Sequence, residues 1–389
     1  MNEPVVIIGG GFAGVYVARE LLRRREPVTL VSETNYFTFT PLLHEVATGS
    51  LLSHDIVFEY ESFFHDPRFR FIRGQAIQVD REKRLVHVDG QEEPYATLVI
   101  ATGATTNFYS IKGAESAFVL KNVEDAIALK HALISEVQEE DRTVAVNVIG
   151  GGPTGIELVF EIAQLYQALL LKQPETRVTL RVIHAGKGLC SNDERRVQSY
   201  IGNAMTASGI EVVCEAHAER ISQTEVGTNK GTFPSDVTIL CAGVRPNTDW
   251  ARGSLALDEH SHVPVNHFLQ TVQDEHVFAL GDVAAVDGVP LPKLAQTAVR
   301  EARLVAHNIV EHQRHRAMKG YTPHVMGTLF SLGFGDGVGK IGPVVVKGRV
   351  AWFLWRTVYL FKTPGLWNKL RVAFTWTLGL FQGRNLTEL

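Results

Sequence analysis

Twice along this chain an apolar run breaks into three glycines and resumes as a helix-forming segment. The first break is Gly9-Gly10-Gly11-Phe12-Ala13-Gly14; the second, Gly150-Gly151-Gly152-Pro153-Thr154-Gly155, comes 141 residues later. Each is a G-x-G-x-x-G pattern. Its first glycine (Gly9, Gly150) makes a tight turn, its second (Gly11, Gly152) lets backbone approach a pyrophosphate, and its third (Gly14, Gly155) lets helix and strand pack closely. The flanks have the right character. Pro4–Ile8 and Thr143–Ile149 read as buried strands, Val15–Arg25 and Ile156–Leu171 as helices, and Val28–Ser32 and Val178–Ile183 as second strands. Strands that alternate with helices in this way form parallel sheets covered on both faces.

The remaining segments extend the pattern. Thr97–Ala101 leads to Thr102-Gly103-Ala104, Val237–Leu240 to Ala242-Gly243-Val244-Arg245-Pro246-Asn247, and Val277–Leu280 to Gly281-Asp282. Helices are expected over Asn122–Glu140 and Pro292–Gln313. A length of 389 residues fits two or three domains. The expected fold is α/β, with two Rossmann-like dinucleotide-binding domains, the second inserted in the first. The expected boundaries are 1–108 with 250–320, then 109–249, then a C-terminal region over 321–389.

The strand after each glycine turn should end near a ribose. Glu33 stands 19 residues after Gly14, where a carboxylate accepts hydrogen bonds from ribose hydroxyls. The equivalent strand in the second unit ends at His184, with Lys187 close behind. A neutral imidazole can bond a ribose, and a protonated one beside Lys187 can favour a 2′-phosphate. NADH and NADPH therefore both stay open, with NADH preferred.

Charge is unevenly spread. The net charge is −4, but residues 340–389 carry eight Lys and Arg against Glu388 alone. The acidic body argues against a nucleic-acid binder. The same tail holds Trp352, Trp355, Trp367 and Trp376 together with Phe353, Tyr359, Phe361, Phe374 and Phe381. Two helical pieces, 350–362 and 364–382, interleave these aromatics with cations. Aromatic belts with flanking cations suit a bilayer surface. An amphipathic membrane-binding region is expected, with part of the tail also available for homodimer contacts. The three cysteines (Cys190, Cys214, Cys241) form neither a C-x-x-C nor a metal pattern, which points to a reducing cytosol. No signal segment precedes the first strand. The expected location is peripheral, on the cytoplasmic side of the cell membrane.

The ordered motifs resemble the two-dinucleotide flavoprotein disulfide-reductase superfamily, and within it the type II NADH:quinone oxidoreductases. The matching pieces are GGGFAG (9–14), TPLLHEVATG (40–49), LVIATGATTNF (98–108), GGGPTGIE (150–157), AGVRPN (242–247), GDVAA (281–285), LAQTAVR (294–300) and the aromatic-basic tail. The resemblance implies FAD on Gly9, Gly11, Gly14 and Glu33, with Asp282 at its ribityl or pyrophosphate part and Ala47 and Thr48 near the flavin. It implies a nicotinamide nucleotide on Gly150, Gly152 and Gly155. It places Glu157 near the flavin and nicotinamide, and Gln296 beside the flavin edge and a quinone pocket.

The implied activity is NAD(P)H oxidation through FAD to a membrane quinone without proton pumping. Glu157 is the carboxylate assigned a proton-relay role; its competing role is simple favour by the helix dipole. The sequence departs from the family at His184 (usually an acid), at Arg300 (usually glutamine) and at His44-Glu45 (usually Tyr-Gln). Two alternatives accompany this reading. One is a sulfide:quinone oxidoreductase, which needs a facing cysteine pair. The other is a flavin-binding sensor without catalysis.

Overall fold

The computed structural model describes residues 4–138, 142–171, 175–191, 193–286, 293–324, 327–382 and 384, the side chains of 380–382 excepted. Glu140, Pro292, Glu388 and the side chain of Phe381, used above, lie outside the described residues. The chain forms two compact units. The first comprises Met1–Thr38, Val57–Thr105 and Val244–Val325; the second comprises Phe39–Ile56, Thr106–Gly243 and Met326–Leu389.

In the first unit a five-stranded parallel sheet runs in the order Val277–Ala279, Thr97–Ile100, Val5–Ile8, Val28–Ser32, Phe69–Arg73. Val5 pairs with Val28 on one side and Thr97 on the other. All four residues of Val5–Ile8 are buried, as are all four of Thr97–Ile100. Buried-on-both-faces strands read as unbroken apolar runs, which is why they were visible in the sequence. The helix Phe12–Arg23 packs against Ala295–Gln313 on one face of the sheet. A three-stranded antiparallel meander, Ala76–Asp80, Leu85–Val88 and Gln91–Pro94, completes the crossover to Thr97.

The second unit repeats the plan. Its parallel sheet runs Glu211–Val213, Arg177–Ile183, Thr143–Ile149, Val237–Leu240. Its own meander, Ala218–Ile221, Glu225–Thr228 and Gly231–Pro234, precedes Val237 just as the first precedes Thr97. The helix Val123–Ser135 starts at a capping box: Asn122 accepts the Asp125 N–H at 2.7 Å and Asp125 accepts the Asn122 N–H at 3.2 Å.

The compact units divide the chain differently from the expected boundaries in two places. Residues 39–56 belong to the second unit, because buried Leu42, Leu43, Val46 and Leu51 and the hydroxyls of Thr48 and Ser50 pack there. The C-terminal region is not separate. Its antiparallel sheet Gly327–Ser331, Gly337–Ile341, Val344–Lys347 and its helix Gly348–Lys362 build on the second unit's helix Pro153–Leu170, and its helix Leu366–Gln382 packs on Gly348–Lys362 and Ser53–Ile56. Among the described residues no helix is long and apolar enough to cross a membrane.

Candidate functional site

Both glycine turns adopt the same local geometry. Gly9 and Gly150 have φ of +108° and +121° and lie against the carbonyls of Ala101 and Cys241, where a Cβ would come within 2.3 Å. At Gly14 and Gly155 a Cβ would approach the carbonyl oxygens of Gly9 and Gly150 to 1.9 and 2.1 Å. Gly11 and Gly152 differ: φ is an ordinary −81° and −85°, and a Cβ would meet nothing within 4 Å. The protein itself does not need glycine there. The space admits a ligand that must come close to backbone.

Gly11 and Gly152 are also the N-caps of their helices. Neither helix has a side-chain cap, and neither carries an acid in its first turn. Helix N-termini left with free N–H groups and an unopposed positive dipole end favour an anion. The residues present therefore fit the pyrophosphate of a dinucleotide, once in each unit.

A neighbouring side chain steadies each turn, buried Tyr60 in one and half-buried His184 in the other. Tyr60 Oη donates to the Gly10 carbonyl at 2.9 Å. In the second unit the Gly151 N–H donates to His184 Nδ1 at 3.1 Å. Burial holds the His184 imidazole below its ordinary pKa, and Nδ1 already accepts a bond, so the ring is neutral. His184 thus folds inward onto the glycine turn; the expectation of a strand-end side chain free to reach a ribose does not describe this geometry. Glu33 is exposed at the end of its strand, its carbonyl accepting from Arg73 Nε at 3.2 Å.

Asp282 sits half-buried in the turn Gly281–Val283, beside the first glycine helix: a Cβ on Gly281 would lie 3.3 Å from that of Ala13. Buried Glu301 fixes this turn by accepting the Gly281 N–H at 2.7 Å, and Lys293 Nζ donates to the Ala284 carbonyl at 2.6 Å. Asp282, Lys293, Thr297 and Glu301 line a small cleft. Sequence reading missed Tyr60, Lys293 and Glu301. Gln296 is half-buried, second in the helix Ala295–Gln313. The first unit thus holds Gly9, Gly11, Gly14, Glu33, Asp282 and Gln296. The second holds Ala47, Thr48, Gly150, Gly152, Gly155, Glu157 and His184.

The second unit has a feature no motif announced. Glu157 is the fifth residue of Pro153–Leu170, so it lies beyond the first turn, and the helix dipole does not account for it. Its Oε1 accepts from Trp355 Nε1 at 2.7 Å and from the Ser331 N–H at 3.1 Å. Glu45 Oε2 accepts from Trp376 Nε1 at 2.6 Å. Glu161 Oε2 pairs with Arg384 at 2.7 Å and accepts from Ser50 at 2.8 Å, while Gln164 donates to its Oε1 at 3.1 Å. Ala47 and Thr48 are fully buried, and Thr48 Oγ1 donates to the His44 carbonyl at 2.9 Å.

Electrostatics separates the three acids. Burial, assisted by its neighbours Glu45 and Glu161, raises Glu157 to about 8. Burial and the charge of Glu161 raise Glu45 to about 7. Burial also pushes Glu161 upward, but the Arg384 guanidinium and the Ser50 hydroxyl outweigh it, and this carboxyl stays below the ordinary range. Burial lowers His44 to about 4, and its Nε2 has no hydrogen-bond partner among the described residues. The tail tryptophans correct the simple belt expected of them: Trp355 and Trp376 point inward as donors to acids.

Comparison with known proteins gives a consistent result. A family model described as pyridine nucleotide-disulphide oxidoreductase matches residues 3–302. A type II NADH:quinone oxidoreductase of Mycobacterium tuberculosis is 26% identical, over 98% of this chain and 89% of its own. Ferroptosis suppressor protein 1 of Mus musculus is 29% identical, over 89% of this chain and 90% of its own. The NDH2 structure of Plasmodium falciparum, solved with NADH, superposes with a TM-score of 0.88 at 16% identity and full coverage of both chains. The shared architecture is an α/β fold with two dinucleotide-binding domains.

Two outcomes follow from this geometry. Gly155→Ala must displace the Gly150 carbonyl and lowers thermal stability without any ligand. Gly152→Ala leaves stability unchanged and weakens nicotinamide-nucleotide binding by at least about tenfold, since only the ligand occupies that space. Equal nucleotide affinity in Gly152→Ala and wild type, by calorimetric titration, removes the turn from the binding site.

The second outcome concerns pH. Glu157 binds its proton more tightly folded (about 8) than unfolded (4.5), so stability falls as pH rises through that window. His44, lowered from 6.5 to about 4, acts oppositely below 6.5, and Glu45, raised to about 7, acts the same way as Glu157 below 7, which leaves the range from 7 to 8 to Glu157. There Glu157→Gln flattens the pH slope of urea unfolding by on the order of 1 kcal/mol per pH unit. An unchanged slope removes Glu157 as the titrating group.

Proposed function

This chain belongs to the pyridine nucleotide-disulphide oxidoreductase family, and we propose that it oxidises NADH and passes two electrons through FAD to a membrane quinone. The observation that carries this reading is the pair of uncapped glycine turns, one per unit, each shaped for a pyrophosphate. In this reading Gly9, Gly11, Gly14, Glu33 and Asp282 hold FAD. Gly150, Gly152 and Gly155 hold the nicotinamide nucleotide, with Ala47, Thr48, Glu157 and Gln296 at the flavin and quinone. When bound, the flavin relays an electron pair from nicotinamide to quinone.

The chain's own residues bind, orient and hold protons. Free N–H groups at the two helix starts receive the phosphates. Glu33 is exposed at the ribose position of the first unit. His184 is neutral and bonded inward, so it offers no charge to a 2′-phosphate, which supports NADH over NADPH. Cys190, Cys214 and Cys241 are free, and burial pushes their thiols up, Cys190 and Cys241 to about 12. That is poor chemistry for sulfide oxidation, which needs reactive thiolates.

The outer face of the tail supports docking on a bilayer. Phe353, Phe361, Leu366, Trp367, Leu370 and Phe374 are exposed, Trp367 by 82% and Phe361 by 72%. Lys347, Arg349 and Lys362 are exposed along the same tail. Apolar surface of this kind beside cations fits an anionic leaflet, where each cation contributes about 1 kcal/mol.

Anaerobic titration tests the redox reading. The purified protein should be yellow, bleach on NADH more readily than on NADPH, and recolour when a short-chain quinone is added. Bound flavin that NADH never bleaches would mark a binding module without turnover and end the proposal. For the membrane, Phe353→Asp with Trp367→Asp should abolish flotation with anionic vesicles while turnover of a water-soluble quinone persists; undiminished flotation would move the docking surface elsewhere.

A further inference from the structure

The middle residue of the second glycine turn is pinned from two sides by one loop. The Gly151 N–H donates to His184 Nδ1 at 3.1 Å, and the Gly151 carbonyl accepts from the Cys190 N–H at 2.9 Å. The imidazole is itself wedged between two glycines. A Cβ on Gly151 would lie 2.9 Å from His184 Cγ, and one on Gly186 would lie 2.6 Å from its Nε2. The backbone of His184 is fixed as well. Its N–H donates to the Val213 carbonyl at 2.8 Å, and its carbonyl accepts from the Ala216 N–H at 3.0 Å.

Accepting at Nδ1 places the single hydrogen of the neutral ring on Nε2. A second proton can enter only at Nδ1, where it sets one N–H against another. It also puts a positive charge beside the positive end of the helix Pro153–Leu170, whose N-cap Gly152 is the next residue of the turn. Protonation therefore breaks the bond that holds Gly151. The first unit is held differently. There Tyr60 Oη donates to the Gly10 carbonyl at 2.9 Å, and burial moves this phenol still further above neutrality. One turn leans on a group that changes charge in mild acid, and the other on a group that does not.

The titratable groups on the elements around the ring leave this contrast intact. Lys187, on its own loop, and Glu215, beyond Val213, are exposed to water. Cys190 and Cys214 keep their protons, because burial raises both thiols. Glu157, on the helix after the turn, is bonded to Trp355 and to the Ser331 N–H. Burial is the main influence on the His184 ring and moves its titration below 6.5.

We propose that His184 is a positioning residue for the nicotinamide nucleotide: its neutral ring holds the second glycine turn in the shape that receives the pyrophosphate, and mild acid releases that nucleotide from a protein which keeps its flavin. The proposal rests on the nucleotide reading above. It adds a residue that acts through Gly151 and a pH limit that belongs to one turn only.

Calorimetric titration of the full-length, flavin-loaded protein with ADP-ribose, a redox-inert probe, tests this from mildly acid to neutral pH. In the wild type the affinity falls on acidification below 6.5, approaching about tenfold per pH unit, while flavin absorbance stays with the protein. His184→Ala weakens binding at neutral pH by about fivefold or more and loses the acid dependence. His184→Asn offers an amide oxygen in place of Nδ1 and does not titrate. It should restore most of the affinity lost in His184→Ala and stay level in acid, and it serves where His184→Ala fails to fold. Gly186→Ala, which reaches the ring from the other side, should weaken binding in the wild-type background and do nothing further in the His184→Ala background.

Wild-type affinity that is level or rises in acid overturns the proton switch, as does an acid dependence that survives in His184→Asn. A His184→Ala protein that binds as tightly as wild type at neutral pH overturns the positioning role. Flavin lost at the same pH as ADP-ribose overturns the restriction to one turn. A wild type that takes up no ADP-ribose and is not bleached by NADH at any pH brings down the nucleotide reading itself.

Discussion

A carboxyl group taken out of water must find a donor, and in this protein the donors come from the far end of the chain. Trp355 answers Glu157, Trp376 answers Glu45 and Arg384 answers Glu161, across sequence separations of 198, 331 and 223 residues. Each bond is buried or nearly so, where an unmet carboxyl costs more than the bond itself contributes. The tail therefore cannot be regarded as an appendage. Its inner face completes the polar interior of the second unit, and only its outer face stays exposed. The two faces divide the aromatics between them: Trp355 and Trp376 go in, Phe353, Phe361 and Trp367 stay out.

The same economy appears in the duplicated sheets. Each unit places a glycine turn after a central buried strand and lets backbone atoms alone define the anion site. The turns are held from behind by different side chains, Tyr60 in one and His184 in the other. The imidazole of His184 thus supports its turn where a phenol supports the other. The histidine is turned inward, its Nδ1 bonded to the Gly151 N–H.

Much of the architecture could be read in advance. Val28–Ser32 and Val237–Leu240 were bounded correctly, because doubly covered parallel strands are continuous apolar runs between glycines. The glycine motifs were legible because their spacing is dictated by a turn and not by distant contacts. What could not be read was long-range. Aromatics interleaved with cations look the same in sequence whether they face lipid or face buried acids, so Trp355 and Trp376 were assigned to the wrong side. Glu45 stood out only as a departure from a pattern, and nothing local marks a carboxyl whose donor lies hundreds of residues away. Residues 39–56 went to the second unit for the same reason: Ser50 and Thr48 bond Glu161, over separations of 111 and 113 residues.

The two indole–carboxyl bonds carry an optical consequence. An excited indole is sensitive to charge next to its N–H, and Trp355 and Trp376 lie with ring centroids 6.2 Å apart, each tied to a group whose charge depends on proton occupancy. Trp367, in contrast, is largely in solvent. The molecule therefore contains its own pair of emitters, one class reporting the interior acids and the other reporting whatever covers the outer surface, and the two can be told apart by the colour of their ultraviolet fluorescence without attaching any dye.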